Sequence, residues 1–210
     1  MVWYALALVG DILLALIIFV WRPWVQLKRH GVWGVIMFRS TSAGQTFRDI
    51  LTVLMFVVLI GQALVFVFAP QHRALLFPSE SVSNSAIMHV AGAIILIVGL
   101  VLLPATQLHL GVAWRVGIDP GEKLGLVTDG YYRLCRNPIF LAILTVLLGN
   151  AVLIPTAFSA IIVVATYFWF RMQAAAEEGY LFRVYGDEYS RYAGRVGRFT
   201  PFTGRIASKQ

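Results

Sequence analysis

The sequence predicts an all-α integral membrane protein of five transmembrane helices, the last two forming a C-terminal helical hairpin. Three observations lead there. Of 210 residues, 59% are hydrophobic and 13% are charged, and the mean hydropathy is +0.78; a soluble domain is about one-quarter charged. Apolar stretches recur along the chain, each near the roughly 20 residues that a helix needs to cross hydrocarbon. The residues able to do chemistry gather in two segments, 108–136 and 171–201, which flank the last apolar stretch.

Residues 2–20 are apolar apart from Asp11 and have no basic region before them, so they read as a first span and not as a cleavable signal. Residues 50–69 carry no formal charge and form the second span. Residues 86–108, interrupted by His89, Pro104 and Gln107, form the third. The stretch 139–170 would reach about 48 Å as one helix at 1.5 Å per residue, too long for a hydrocarbon core of about 30 Å. Asn150 and Pro155 supply the break, which gives two antiparallel helices over 139–153 and 156–172. Asp11, an ionisable group in mid-span, is expected to serve helix packing, with Gln62 at similar depth as its partner.

The loops orient this arrangement. Residues 21–48 hold Arg22, Lys28, Arg29, Arg39 and Arg48 with no acid, whereas residues 70–85 hold Arg73 against Glu80. The first loop is therefore cytoplasmic and the N-terminus outside, with 109–136 and the tail from 173 on the cytoplasmic face. The net charge of +7 is of this kind, beside the spans, and no soluble basic domain exists to bind nucleic acid. The single cysteine, Cys135, excludes an internal disulfide and is expected to be inert. No Cys/His cluster has metal-ligand spacing, so no metal is expected.

Because the hairpin returns the chain to the side it left, the two polar segments meet at one membrane face. Pro138 suits the first turn of a helix and Asn137 its N-cap. Arg133 and Arg136 could snorkel to head groups, or this helix start could attract a carboxylate. The adjacent carboxylates Glu177 and Glu178 repel one another and call for a cation, with Arg136 across the hairpin and Arg171 on the same helical face as candidates. Tyr185, Tyr189, Tyr192 and Val196 form a stripe at i, i+4, i+7 and i+11. It would lay a tail helix, started by Gly186 or Asp187, over the site as a lid, with Arg191, Arg195 and Arg198 facing anionic lipid.

Several separated motifs then agree in order and spacing. These are Leu110-Gly111-x-x-Trp114-Arg115, Leu126-Val127-Thr128-Asp129-Gly130-Tyr131-Tyr132-Arg133, Arg136-Asn137-Pro138-x-Phe140, Glu177-Glu178, Tyr185-Gly186-Asp187-Glu188-Tyr189-x-x-Tyr192 and Val196-x-Arg198-x-x-Pro201. Together they resemble the isoprenylcysteine carboxyl methyltransferase family, in a bacterial-type relative. The resemblance covers residues 107–201. It implies an integral membrane enzyme, here of a bacterial inner membrane, with a cytoplasmic pocket for S-adenosylmethionine and a lipophilic or lipid-attached methyl acceptor. The family usually has His and Tyr where this chain has Asn137 and Phe140, which removes a chargeable ring and a phenolic hydroxyl.

On that resemblance, Arg136 and Glu178 are the candidate catalytic residues. The cofactor-binding candidates are Leu126, Val127, Gly130, Tyr131, Tyr132, Arg136, Asn137, Pro138, Phe140, Glu177 and Glu178. Arg136 and Asn137 would face the cofactor carboxylate, and Glu177 and Glu178 its ammonium or hydroxyls, or Glu178 would hold Arg136. Gly130 would let the backbone pass close to the cofactor. Trp114, Tyr189 and Tyr192 are expected to bind the acceptor, which enters from the bilayer between the hairpin and the third span. His109 is expected to be an interfacial helix-end residue. The chain divides into N-terminal membrane helices (1–106), a methyltransferase-like region (107–201) and a tail (202–210). Two rival readings are an NADPH-dependent membrane reductase of the sterol-reductase type and a non-enzymatic scaffold or transporter. Against a transporter, no pair of spans carries matched Gly/Pro interruptions.

Overall fold

The computed structural model describes residues 1–31, 33, 37–38, 43–72, 86–114 and 125–200. The expectations resting on Arg39, Arg73, Glu80, Arg115, Pro201 and the tail 202–210 lie outside the described residues. Among the described residues all regular structure is helical. Helix α1 (Val2–Leu16) runs through a π-helical turn, Ile17–Trp21, into α2 (Arg22–His30). Helix α3 is Ala43–Phe68, and α4 is Ala86–Leu110, extended by a 3-10 turn, Gly111–Ala113. A second 3-10 turn, Gly130–Arg133, precedes α5 (Pro138–Leu153); α6 (Ala157–Tyr185) and α7 (Asp187–Arg195) follow.

Four helical stretches are long and apolar enough to cross a membrane: Val2–His30, Asp49–Phe68, Ala86–Ala113 and Ala157–Tyr185. Pro138–Leu153 is apolar but shorter. Large apolar side chains also point away from the protein, among them Val57, Val101 and Ile161, each more than 60% exposed. In water such faces would aggregate, and in lipid they are solvated. The basic stretch after residue 20 is not an open loop, because α1 continues as helix to His30 and stops at Gly31, whose φ of +70° suits a residue without a Cβ.

The hairpin breaks where the sequence places the break. Thr156 caps α6, accepting the Ser159 N–H at 2.7 Å, and Ile154 ends α5. Helix α6 is 29 residues long, however, and carries on past residue 172 to Tyr185. Glu177 and Glu178 thus ride on the membrane helix itself.

Helices α4 and α5 form the tightest seam, and glycines make it. A Cβ on Gly99 would stand 2.6 Å from the backbone nitrogen of Val146, and one on Gly149 would collide with the backbone of Leu96. Backbones approach this closely only where side chains are absent. Asp11, fully buried on α1, accepts two 2.9 Å hydrogen bonds from the Asn150 amide of α5. Gln62 donates instead to the Ser159 hydroxyl at 2.7 Å. The expected Asp11–Gln62 pair is therefore not formed: each side chain has a nearer partner on the hairpin, and the two bonds tie α1 and α3 to α5 and α6.

Candidate functional site

The two polar segments meet, as the hairpin requires, and the junction is made by backbone. The N–H groups of Arg136 and Asn137 donate to the carbonyls of Gly197 (2.9 Å) and Arg198 (3.2 Å). Asn137 occupies the N-cap position of α5, but its side-chain amide also donates to the Arg198 carbonyl, at 3.2 Å, and makes no cap bond. At this junction Glu178 is held by two arginines. Arg198 grips it as a fork, Nε to Oε1 at 2.9 Å and Nη2 to Oε2 at 2.7 Å, and Arg136 Nη2 reaches Oε1 at 3.0 Å. Arg136 and Glu178 are each only 7% exposed in their side chains, so the carboxylate is neutralised inside the protein. The Arg136 Nη1 group donates to the carbonyls of Ala193 (2.8 Å) and Val196 (3.1 Å), which fastens the end of α7 to the start of α5. The bond to Glu178 holds the Arg198 guanidinium above its already high ordinary value, so it stays charged.

Helix α7 lies across the end of α6 through Tyr189, Tyr192, Ala193 and Val196, packed on Leu181, Phe182 and Leu126. Gly186, at φ +52°, makes the sharp joint. The Tyr192 hydroxyl donates to the Tyr132 carbonyl at 2.6 Å, tying α7 to the 3-10 turn before α5. Burial, with a further push from the Glu178 charge, holds the Tyr189 phenol above its ordinary value, and burial does the same for Tyr132 and Tyr192; all three stay neutral at physiological pH.

A cavity of about 690 Å³ opens under this lid. One wall is polar and aromatic, with Gln107, Trp114, Tyr132, Arg136, Asn137, Gln173, Glu177, Glu178, Tyr189 and Tyr192. The other is apolar and belongs to the membrane helices: Phe19 of the π turn, Leu54, Met55 and Val58 of α3, Phe140 and Ile143 of α5, and Ile162, Phe168 and Trp169 of α6. Phe140 stacks on Phe170 with centroids 4.5 Å apart. Three polar atoms on lining residues are buried with no partner among the described residues: Gln107 Oε1, Arg136 Nε and Tyr189 OH. Unpaired buried polar groups are costly, and in a cavity wall they suit a polar ligand.

Three comparisons bear on this arrangement. The family model described as phospholipid methyltransferase matches residues 87–188. Two proteins of Arabidopsis thaliana, protein-S-isoprenylcysteine O-methyltransferase A and B, are 32% and 30% identical to the chain over 114 residues, 53% of this chain and 58% of each relative. In sequence the chain is thus similar to isoprenylcysteine methyltransferases over about half of its length. It spans less than two thirds of the length of these relatives. The fold is also that of a solved eukaryotic intramembrane Ras methyltransferase, an isoprenylcysteine carboxyl methyltransferase, with a TM-score of 0.50 at 17% identity over 91% of this chain and 86% of that one.

Most of the residues singled out in the sequence line this cavity. Leu126, Val127, Tyr132, Arg136, Asn137, Phe140, Glu177, Glu178, Trp114, Tyr189 and Tyr192 are all in its wall. Gly130, Tyr131 and Pro138 are not. Gly130, at φ +52°, turns its bare face to the His109 ring, which a Cβ would strike. His109 is more than a helix-end residue. Its Nε2 lies 3.2 Å from both the carbonyl and the carboxylate of Asp129, and its ring stacks on Tyr132, so it holds the loop before α5.

Arg198 is the residue that sequence reasoning placed wrongly. It faces Glu178 and not lipid, and the Val196-x-Arg198 motif was the available signal. Arg171 lies over the Tyr167 ring, and Glu178 takes its cations from across the hairpin. The tail helix starts at Asp187 with Gly186 at its N-cap, as expected, and Tyr185 of the stripe is the last residue of α6. The seam between α4 and α5 is shut by its glycines, so it offers an acceptor no entry; the apolar wall of the cavity is formed by α3, α5 and α6 instead.

Cys135 is 3% exposed, and burial pushes its thiol up from the ordinary value. A raised thiol pKa lowers the thiolate fraction at any given pH. Maleimide at pH 8 is therefore expected to leave the folded protein essentially unlabelled over minutes and to label it fully after denaturation, as read by intact mass.

Proposed function

We propose that this chain is an integral membrane methyltransferase that moves a methyl group from S-adenosylmethionine to a lipophilic or lipid-attached acceptor at the cytoplasmic interface. The observation that carries this reading is a continuous cavity whose polar wall, at the hairpin junction, runs on into an apolar wall of membrane helices. A polar cofactor and a lipid tail both find matching surface there, and the reacting groups are brought together where water is scarce. The five-span arrangement with the N-terminus outside, and the division into residues 1–106, 107–201 and 202–210, belong to the same reading. So does a bacterial inner membrane as its home.

The residues present fit the cofactor. When bound, S-adenosylmethionine supplies an electrophilic methyl group on a sulfonium. Arg136 Nε, Tyr189 OH and Gln107 Oε1 would hold its polar atoms, Glu177 stands in the same wall to receive an ammonium or hydroxyls, and Leu126 and Val127 offer apolar contact. Trp114, Tyr132 and Tyr192 present rings that attract a sulfonium. Glu178 has its carboxylate occupied by Arg136 and Arg198, so it positions these arginines and has no free oxygen to take a proton. An acceptor that arrives ionised, a carboxylate or thiolate, needs no base and suits this site. The acceptor tail would lie along α3 and α6, with α7 keeping water out.

Calorimetry on the detergent-purified protein tests this with S-adenosylmethionine and NADPH in parallel, followed by methyl transfer to an S-farnesylcysteine derivative. Saturable binding of S-adenosylmethionine alone is expected. Binding of NADPH in its place, or of neither by a sample that melts cooperatively, would overturn the reading.

A further inference from the structure

Trp114 is 2% exposed, lies in the cavity wall, and is the point at which the chain leaves the membrane helix α4. Both its backbone and its ring are held from an unexpected quarter. Gln26 of α2 donates its amide to the carbonyls of Val112 (2.9 Å) and Trp114 (3.3 Å). Arg22, one turn earlier, donates Nη2 to the Gly111 carbonyl at 2.7 Å and both Nε and Nη2 to the Gln107 carbonyl at 3.3 and 3.2 Å. Its guanidinium carbon stands 4.7 Å from the centre of the Trp114 ring. Arg22 and Gln26 are each 1% exposed.

We propose that Arg22 and Gln26 are positioning residues that fix Trp114 in the wall of the cavity. A cation at the C-terminal end of α4 meets the negative end of the helix dipole, which is a favourable place for it, and it adds to the Trp114 N–H that the Gly111 carbonyl already accepts. A capping role alone, however, would not require the guanidinium to lie on the ring, nor a second side chain to take the Trp114 carbonyl. The π-helical turn makes the arrangement possible. One additional residue in a helix rotates everything after it by about 100°. Here the turn puts Ile18 and Phe19 into the cavity wall and aims Arg22 and Gln26 inward at the end of α4. These residues precede the segment 87–188 that the family model matches, so the N-terminal helix supports a polar wall that is built from the second half of the chain. That this serves cofactor binding rests on the methyltransferase reading; the contact with Trp114 does not.

The test uses the full chain in detergent, labelled with 5-fluorotryptophan. The Trp114 signal, one of six, is identified by its loss in Trp114→Phe. Arg22→Lys keeps the charge but loses the planar fork, and Gln26→Leu removes only the amide. Each is expected to shift and broaden the Trp114 signal while those of Trp3 and Trp169 stay in place. Arg22→Lys is also expected to weaken S-adenosylmethionine about tenfold, or about 1.4 kcal/mol, and to add nothing further in the Trp114→Phe background, since coupled sites are not additive. A Trp114 signal unmoved by both variants, or additive losses of affinity, would overturn the proposal. If the wild type binds no S-adenosylmethionine, the methyltransferase reading falls, and the fluorine signal still decides whether Arg22 and Gln26 position Trp114.

Discussion

Glu178→Gln is expected to cost the folded protein about 3 to 5 kcal/mol, the usual range for removing one partner from a buried ion pair, and to lower S-adenosylmethionine affinity at least a hundredfold. The amide keeps the shape of the side chain but withdraws the charge from Arg136 and Arg198, which are then two cations facing each other across a neutral group. Arg136 also holds the carbonyls of Ala193 and Val196, so its displacement loosens α7 and the cavity wall together. Arg198→Met should cost less, because Arg198 is 27% exposed in its side chain and Arg136 remains to balance Glu178. Thermal unfolding in detergent and calorimetry on the same samples check both statements. Wild-type melting and binding in Glu178→Gln would contradict them.

The second large effect belongs to the seam between α4 and α5. Gly149→Ala places a methyl group against the backbone of Leu96, with its Cα at 2.7 Å and the Gly92 carbonyl at 2.9 Å. Overpacking commonly costs about 1–3 kcal/mol, and the obstacle here is main chain, which has no rotamer to yield. The expected loss is at the top of that range or above it, about 3 kcal/mol, seen as a lower melting temperature and a smaller yield of monodisperse protein. Gly61→Ala is the control. Nothing stands within 4 Å of its added methyl group, and alanine is the better helix former by about 1 kcal/mol, so Gly61→Ala should melt no lower than wild type. A Gly149→Ala protein as stable as Gly61→Ala would contradict the close approach.

What could be read in the sequence, and what could not, divides by the range of the interaction. The apolar stretches, the Thr156 start of α6 and the Gly186 joint are local: each follows from hydropathy or from the backbone preference of a residue and its neighbours. The meeting of Arg136 with Glu178 was also legible, because a hairpin of known sense brings its two ends together. Partner choice among distant groups was not. Asp11 could have paired with Gln62 on grounds of depth, but the choice of Asn150 depends on how α1 is rotated about its axis, which periodicity does not fix. Arg22 looked like one more base beside a span, and only the π turn turns it inward. Arg198 lay in a run of arginines on a short amphipathic helix and the turn after it, where only its place in the Val196-x-Arg198 motif separates it from Arg191 and Arg195.

The pairing of residues 136–137 with 197–198 also sets an order in time. Every described helix is translated before Gly197 and Arg198 are, so a nascent chain can have all of its membrane segments in the bilayer while Glu178 still lacks its fork and α5 its neighbour. Making the helices and joining their ends are then separate events, the second waiting on residues 197–198. The fork on Glu178 therefore forms only after Arg198 has been made, however early the helices are in place.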